Sequence, residues 1–317
     1  VFFASEMFRH RHHGPSPSEL IEHGRLVEAL NHHDAKKTVP ARVLDRAREH
    51  VEDGMAMIAQ MDENTAWGKP RGNEKGLQIW HYRTGKVHHI KTHARFDATP
   101  CELLAILREW DLIPLWNYSV PQAIIMAEPT LMSVTGSAEL WFPRPIDNRR
   151  AVFHAEGMDL LDSHGFFLGT FRTTEEATKA TPASLMNLDP VFFEPSGFRI
   201  IPLTSGRKGP DGQPVADRSD ITFVVAIEPG TLRVPNWLIE FILGVIAPFI
   251  YNEVAIILKN ISGAYVQRLA FRKELYDLLQ GRADTHVRAV NHSMAAPLAG
   301  GPGVDSRVLG GIFDCFN

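Results

Sequence analysis

The stretch VPNWLIEFILGVIAPFIYNEVAIILKNI, residues 234–261, is almost continuously apolar, and its reading decides how the rest of the chain must be arranged. A helix over residues 237–258 is about long enough to cross a bilayer, which takes ~20 residues. Glu240, Asn252 and Glu253 interrupt it, however, and an acidic group towards the middle of a span costs ~2.5 kcal/mol or more. What remains unbroken is residues 241–251, a length typical of a buried helix. A helix apolar nearly all round must be covered on more than one side, so the pattern predicts that other elements wrap it. Pro248 lacks an N–H and its ring clashes with the carbonyl four residues earlier, that of Gly244, which predicts a kink. Gly244 and Pro248 are therefore expected to form a joint that lets one half of the helix move.

The wrapping elements are strands. After residue 76 the chain reads LQIWHYRT, KVHHIKTHARFD, QAIIMAE, LMSVTGSAELWF, RAVFHAEGMDLL, GFFLGTFRT, FRIIPLT and ITFVVAIEP. Turn signals at Thr84-Gly85, Glu128-Pro129 and Ser163-His164-Gly165 separate neighbours at hairpin distances, which predicts one curved antiparallel sheet. TPCELLAILREWDLIPLW interrupts the strands as a helix, with Thr99 as N-cap, Pro100 in the first turn and Glu102 three residues after the cap. In AELWFPRPIDNRRAVFH, residues 138–154, Pro143 and Pro145 cannot donate to a ladder, so pairing is expected to stop at Phe142 and resume at Ala151 around a wide loop with an arginine-bearing rim.

Ahead of the strands, residues 16–61 read as two surface helices, the first capped by Ser16 with Glu19. TAWGKPRGNEKG, residues 65–76, reads as a linker. The histidine runs RHRHHG and NHHD lack the spacing of a defined metal site and are read as solvated. The chain has 33 Lys and Arg against 37 Asp and Glu and a net charge of −4, which excludes a general electrostatic attraction to nucleic acid. Two cysteines, Cys101 and Cys315, cannot make a disulfide framework, which favours a reducing, cytoplasmic setting.

Four segments, in order, resemble the START (steroidogenic acute regulatory protein-related lipid-transfer) domain family of helix-grip fold. FDATPCELLAILREWDLIPLWN is similar to the family's helix leading into a Trp-Asn pair, here Trp116 and Asn117. AELWFPRPIDNRRAVFH is similar to its strand, Pro-x-Pro loop and Asn-Arg pair. ITFVVAIEPG resembles its last strand, and VPNWLIEFILGVIAPFIYN its C-terminal helix. The resemblance implies an α+β fold in which a curved antiparallel sheet wraps a long C-terminal helix, with extra N-terminal helices. Its boundaries are an N-terminal extension and linker at 1–75, a lipid-binding domain at 76–290 and a Gly/Pro-rich tail at 291–317.

By the same resemblance the cavity wall comprises Trp116, Val134, Gly136, Ala138, Leu140, Phe153, Ala155, Phe223 and Val225. The lid comprises Leu238, Phe241, Ile242, Val245 and Phe249, and the gate Gly244, Pro248 and Arg149. Many family members carry an arginine and an acidic partner inside the cavity, at positions that are Ala155 and Gly136 here, which implies a roomier and more apolar space. His93, His154 and Glu156 are candidate polar contacts, with a hydrogen-bonded structural role as the favoured reading for each. The implied function is binding, with transfer or sensing, of one hydrophobic lipid, and transient contact with a membrane surface. No catalytic, cofactor or metal residues are assigned. The alternatives are a helix-grip enzyme of cyclase type, for which His154 and Glu156 would be the acid/base pair, and a ligand-gated interaction module.

Overall fold

The alternating segments pair into a single nine-stranded sheet in the computed structural model, which describes residues 15–62, 65–72 and 76–295. Four helices precede it: α1 (Pro17–Glu22), α2 (Leu26–Asn31), α3 (Ala35–Thr38) and the long α4 (Ala41–Asp62). Strands β1 (Arg71–Gly72), β2 (Gln78–Thr84) and β3 (Val87–Phe96) follow, then α5 (Pro100–Arg108) and a 3-10 turn over Trp110–Leu115. Next come β4 (Gln122–Ala127), β5 (Ser133–Leu140), β6 (Arg149–Leu160), α6 (Leu161–His164), β7 (Phe166–Arg172), α7 (Glu175–Lys179), β8 (Asp189–Leu203) and β9 (Arg218–Glu228). Four helical pieces close the chain: α8 (Asn236–Phe241), α9 (Ala247–Lys259), α10 (Ala264–Phe271) and α11 (Lys273–Ala295).

The strand order is β1-β2-β3-β9-β8-β7-β6-β5-β4, and every neighbour in it is antiparallel. Two hairpin series are thus joined by the pairing of β3 with β9. The sheet is curved but not closed. A short parallel pairing of β6 with β8, Arg149 opposite Asp189, adds a second neighbour at the start of β6.

Local signals hold where backbone chemistry alone decides. Ser16 and Glu19 form a reciprocal capping box on α1, and Thr99 and Glu102 form one on α5. Pairing stops at Leu140 rather than Phe142 and resumes at Arg149 rather than Ala151, so two of the expected rim arginines, Arg149 and Arg150, lie inside β6 and only Arg144 stays in the loop. Arg150 donates to the carbonyls of Leu185, Met186 and Leu188, which binds the loop before β8 to the strand. That side-chain anchor extends the ladder beyond the point at which the prolines break it.

Two expectations for the N-terminal region are corrected. The predicted pair of surface helices is four, and α4 is a packing element: Leu44, Ala47, Gly54, Met57 and Met61 are buried on it. Ala47, Met57 and Met61 meet Met158, Leu160, Phe166, Leu168 and Val224 on the convex side of the sheet, while Leu44 packs with Ala35 and Val39. Gly54 permits the approach, since a Cβ there would fall 2.6 Å from Met158 Cε. Residues 65–72 are not a free linker either. Trp67 is buried and donates from Nε1 to the Gln60 carbonyl at 2.8 Å, and the Lys91 ammonium stands over Trp67 and Trp80.

On the concave side lie α5 and the C-terminal helices. Ile90, Ala94, Phe96, Ile200 and Ile221 from the sheet share one apolar cluster with Leu103 and Ile106 of α5 and with Ile239, Leu243, Val254 and Leu258. Helix α9 ends at Lys259; Gly263, whose φ of 58° is in the left-handed region, starts α10, and α11 follows it. Leu275, Tyr276, Leu279, Ala283 and Val287 of α11 complete the same cluster.

Candidate functional site

Alternation along β5 and β6 builds the centre of the concave face. Val134, Gly136 and Ala138 lie opposite Ala155, Phe153 and Ala151, and side chains at directly paired positions share a face. Phe171 from β7, Phe193 from β8 and Val225 from β9 join them, with Leu140 and Trp110 at the margin. The rings pack edge to face: Trp110 on Phe153 at 4.7 Å and Phe171 on Phe193 at 5.3 Å between centroids. Phe223 lies 5.7 Å from Phe171 and is stacked parallel to Phe198.

The residues implied for the wall therefore do come together, Ala155 and Gly136 among them. The expectation of extra room fails at Gly136. A Cβ at that position would meet Phe153 Cζ at 2.7 Å and Trp110 Cδ1 at 3.1 Å, so aromatic rings already occupy the volume a side chain would take. Gly169 is covered in the same way by the Phe198 ring. Sequence reasoning missed Phe171, Phe193 and Phe198. The alternation in GFFLGTFRT was the available signal for Phe171, but which face it used depended on the register with β6.

Above this face α8, a π-helical turn over Ile242–Ile246, and α9 run as one 24-residue helix, Asn236–Lys259, the one helix among the described residues long and apolar enough to cross a membrane. The kink expected at Gly244 and Pro248 takes the form of that π turn. Widening the turn shifts the hydrogen-bond register ahead of the proline, which removes the need for a donor that Pro248 lacks. Gly244 has open space where a Cβ would be.

Leu238 is fully buried beneath this helix, Ile242 packs against the core, and Phe241 is half-buried. Phe249 reaches the edge of the sheet, its ring 4.5 Å from that of Tyr118. Val245 is corrected: it is 48% exposed and does not join the packed side. So is the expectation of burial all round, for Trp237 and Ile256 are exposed as well. The packed stripe carries Leu238, Ile239, Leu243, Val254 and Leu258, and nothing among the described residues covers the opposite apolar side.

Two fastenings hold the helix and a third holds α10 behind it. Glu240 takes two hydrogen bonds from the Arg71 guanidinium, at 2.6 and 3.1 Å, and this pairing holds its carboxyl below the usual range. Tyr251 packs on Phe96 of β3. Trp116 donates from its indole to Tyr265 Oη at 2.9 Å, so the implied wall residue is also a strut to α10. Arg149, implied as a gate, is buried and ion-paired with Asp189 across the parallel β6–β8 contact.

His93, His154 and Glu156 are not on the concave face. His93 contacts Thr222 and Asp220, and strand alternation sets it on the convex side with Lys91. His154 and Glu156 point towards α4, where His50 meets them beside a convex-side cleft of about 1000 Å³. Alternation decides this: Phe153 and Ala155 face inward, so the residues on either side of Ala155 must face outward.

No family model matches the chain, and no curated protein matches it either. Solved structures do match by shape. A crystal structure of human STARD10 superposes with a TM-score of 0.53 at 15% identity, covering 78% of this chain and 88% of that one. Human StAR-related lipid transfer protein 5 matches with a TM-score of 0.53 at 13% identity, covering 68% of this chain and 98% of that one. The architecture is thus the helix-grip fold of START domains: a curved antiparallel sheet, N-terminal helices outside it and a C-terminal helix against its concave face.

Proposed function

We propose that this protein binds one hydrophobic lipid between the concave face of the sheet and the helix Asn236–Lys259, and carries it between membrane surfaces. The observation that carries the reading is the chemistry of the two facing surfaces. Wall residues Phe171, Phe198, Phe223 and Val225 and roof residues Ile242 and Ile250 are apolar and incompletely buried, and Phe198, Val225, Ile242 and Ile250 pack against one shared cluster. A lipid tail seated there removes this area from water at about 25 cal/mol per Å², which suffices for affinity with no polar contact. The likeness in fold to a protein named for lipid transfer supports the same reading.

Membrane contact follows from the other side of the roof. Trp237, Val245 and Ile256 present an apolar strip to the exterior, the kind of exposed patch that marks a contact surface. Resting on a bilayer would compensate for the roof being lifted, because both of its sides would then be in apolar surroundings. The π turn supplies the place at which the helix bends.

The test is extraction and mass spectrometry of lipid from the purified protein, followed by transfer of a fluorescent lipid between vesicles. A co-purifying lipid and protein-dependent transfer are expected. Protein that carries no lipid and moves none would end the proposal.

A further inference from the structure

Outside the concave face, the convex-side cleft holds a cluster of different chemistry. His50 comes from α4, and His154 and Glu156 from the middle of β6. A single carboxylate oxygen, Glu156 Oε2, lies 3.4 Å from His154 Nε2 and 3.7 Å from His50 Nδ1. All three candidate donor atoms fall within 4.8 Å of one another. A zinc ion with Zn–N and Zn–O bonds of about 2.1 Å sets its tetrahedral ligands about 3.4 Å apart. The two distances to Glu156 are close to this spacing before any ion enters, and the two imidazoles lie within 4.8 Å of each other.

From this geometry we infer that His50, His154 and Glu156 form a zinc-class divalent metal site, with its fourth position open to the cleft. The frame is rigid, since β6 is paired on both sides, with β5 and β7, and α4 is pinned to the sheet by Met57 and Met61. A supporting shell is present. His154 Nδ1 is 3.0 Å from Thr135 Oγ1, a hydrogen bond that orients the ring with Nε2 towards Glu156. All three side chains are largely withdrawn from solvent, with exposures of 14%, 15% and 8%.

One neighbour shows the state of the donor atoms. Arg46 Nη2 lies 3.0 Å from His154 Nε2, and a guanidinium only donates, so Nε2 offers its lone pair and Nδ1 carries the proton towards Thr135. Arg46 is exposed, and its cationic head occupies the place where a metal would bind. It acts as a competitor that must swing out, and its removal strengthens metal binding.

The experiment uses the full chain stripped of metal and titrated with zinc chloride by calorimetry, with cobalt(II) as a spectroscopic stand-in. The expected result is loss of one zinc per chain in each of His50→Gln, His154→Gln and Glu156→Gln, and of the tetrahedral cobalt absorption with it. Loss in these variants, but not in a variant with His32 and His33 replaced, separates this site from the exposed His32, His33 and Asp34 group. Arg46→Ala lies on the exposed side of α4 and keeps the test independent of whether the ligand variants fold. It should tighten zinc binding by roughly tenfold, the scale on which neighbours of a metal site act. Unchanged stoichiometry in the folded ligand variants, or unchanged affinity in Arg46→Ala, would overturn the assignment.

Discussion

At the residue scale the strongest fixed point is Glu109, which is fully buried between α5 and the C-terminal helices. It accepts from Tyr276 Oη and Arg268 Nη1, both at 2.6 Å, and is paired with Arg272 at 3.1 Å. Glu109→Ala leaves these cations without their shared counter-charge, and a loss of about 3–5 kcal/mol is expected in denaturant unfolding. A loss within error would mean that the network is dispensable. A second residue effect is pH-dependent. Burial, with the neighbouring His81 and Arg83 adding to it, holds His88 down at about 4. The unfolded chain binds that proton at about 6.5, so between these values the unfolded state holds more protons. Stability is therefore complete above about pH 6.5 and is lost as pH falls towards 4. His50, His81, His89, His164 and His286 are shifted in the same direction. Thermal melts across pH 7 to 5 should show a falling Tm, and His88→Gln should flatten the curve.

At the element scale the roof helix is the part that must move. Gly244 within the π turn has no neighbour that a methyl group would meet, so Gly244→Ala should stabilise the helix by roughly 0.5–1 kcal/mol. The same change should slow exchange of bound lipid, and Pro248→Ala, which lets the turn revert to α-helix, should do likewise. Stopped-flow release of a fluorescent lipid reads both, and rates equal to those of the parent chain would reduce the joint to an architectural bend. The wall behaves oppositely. Gly169→Ala sets a Cβ 2.3 Å from Phe198 Cζ, and a destabilisation of about 1–3 kcal/mol is expected because the ring must shift within a packed face.

At the scale of the whole molecule, two sides of one sheet are put to different use. The convex side is covered by α4 and carries the titratable cluster, and the concave side is apolar and lies under a helix whose outer strip is uncovered. Replacing Trp237 and Ile256 together by glutamate should cut vesicle binding in a flotation assay and leave the melting temperature nearly unchanged, since both are exposed. A variant that still floats with vesicles would place membrane contact elsewhere. Arg71→Ala, which removes the tether to Glu240, should loosen the N-terminal end of the roof and speed lipid exchange.

Much of this was legible in the sequence because it depends on local chemistry. The capping boxes at Ser16 and Thr99, the alternation that sets Val134, Gly136 and Ala138 on one face, and the apolar run at residues 237–258 are written in neighbouring residues. So was the helix-grip architecture, through the order of four segments. Register and contact were not. Periodicity shows that His154 and Glu156 face away from Phe153 and Ala155, but not that α4 lies on that side and leaves a cleft beside them. Nothing near Gly136 in the chain announces that Phe153 and Trp110 fill its vacant volume, or that His50 arrives from α4 to complete a triad. Those facts arise only when segments distant along the chain are brought within a few ångströms, which is where packing and metal-ligand geometry are decided.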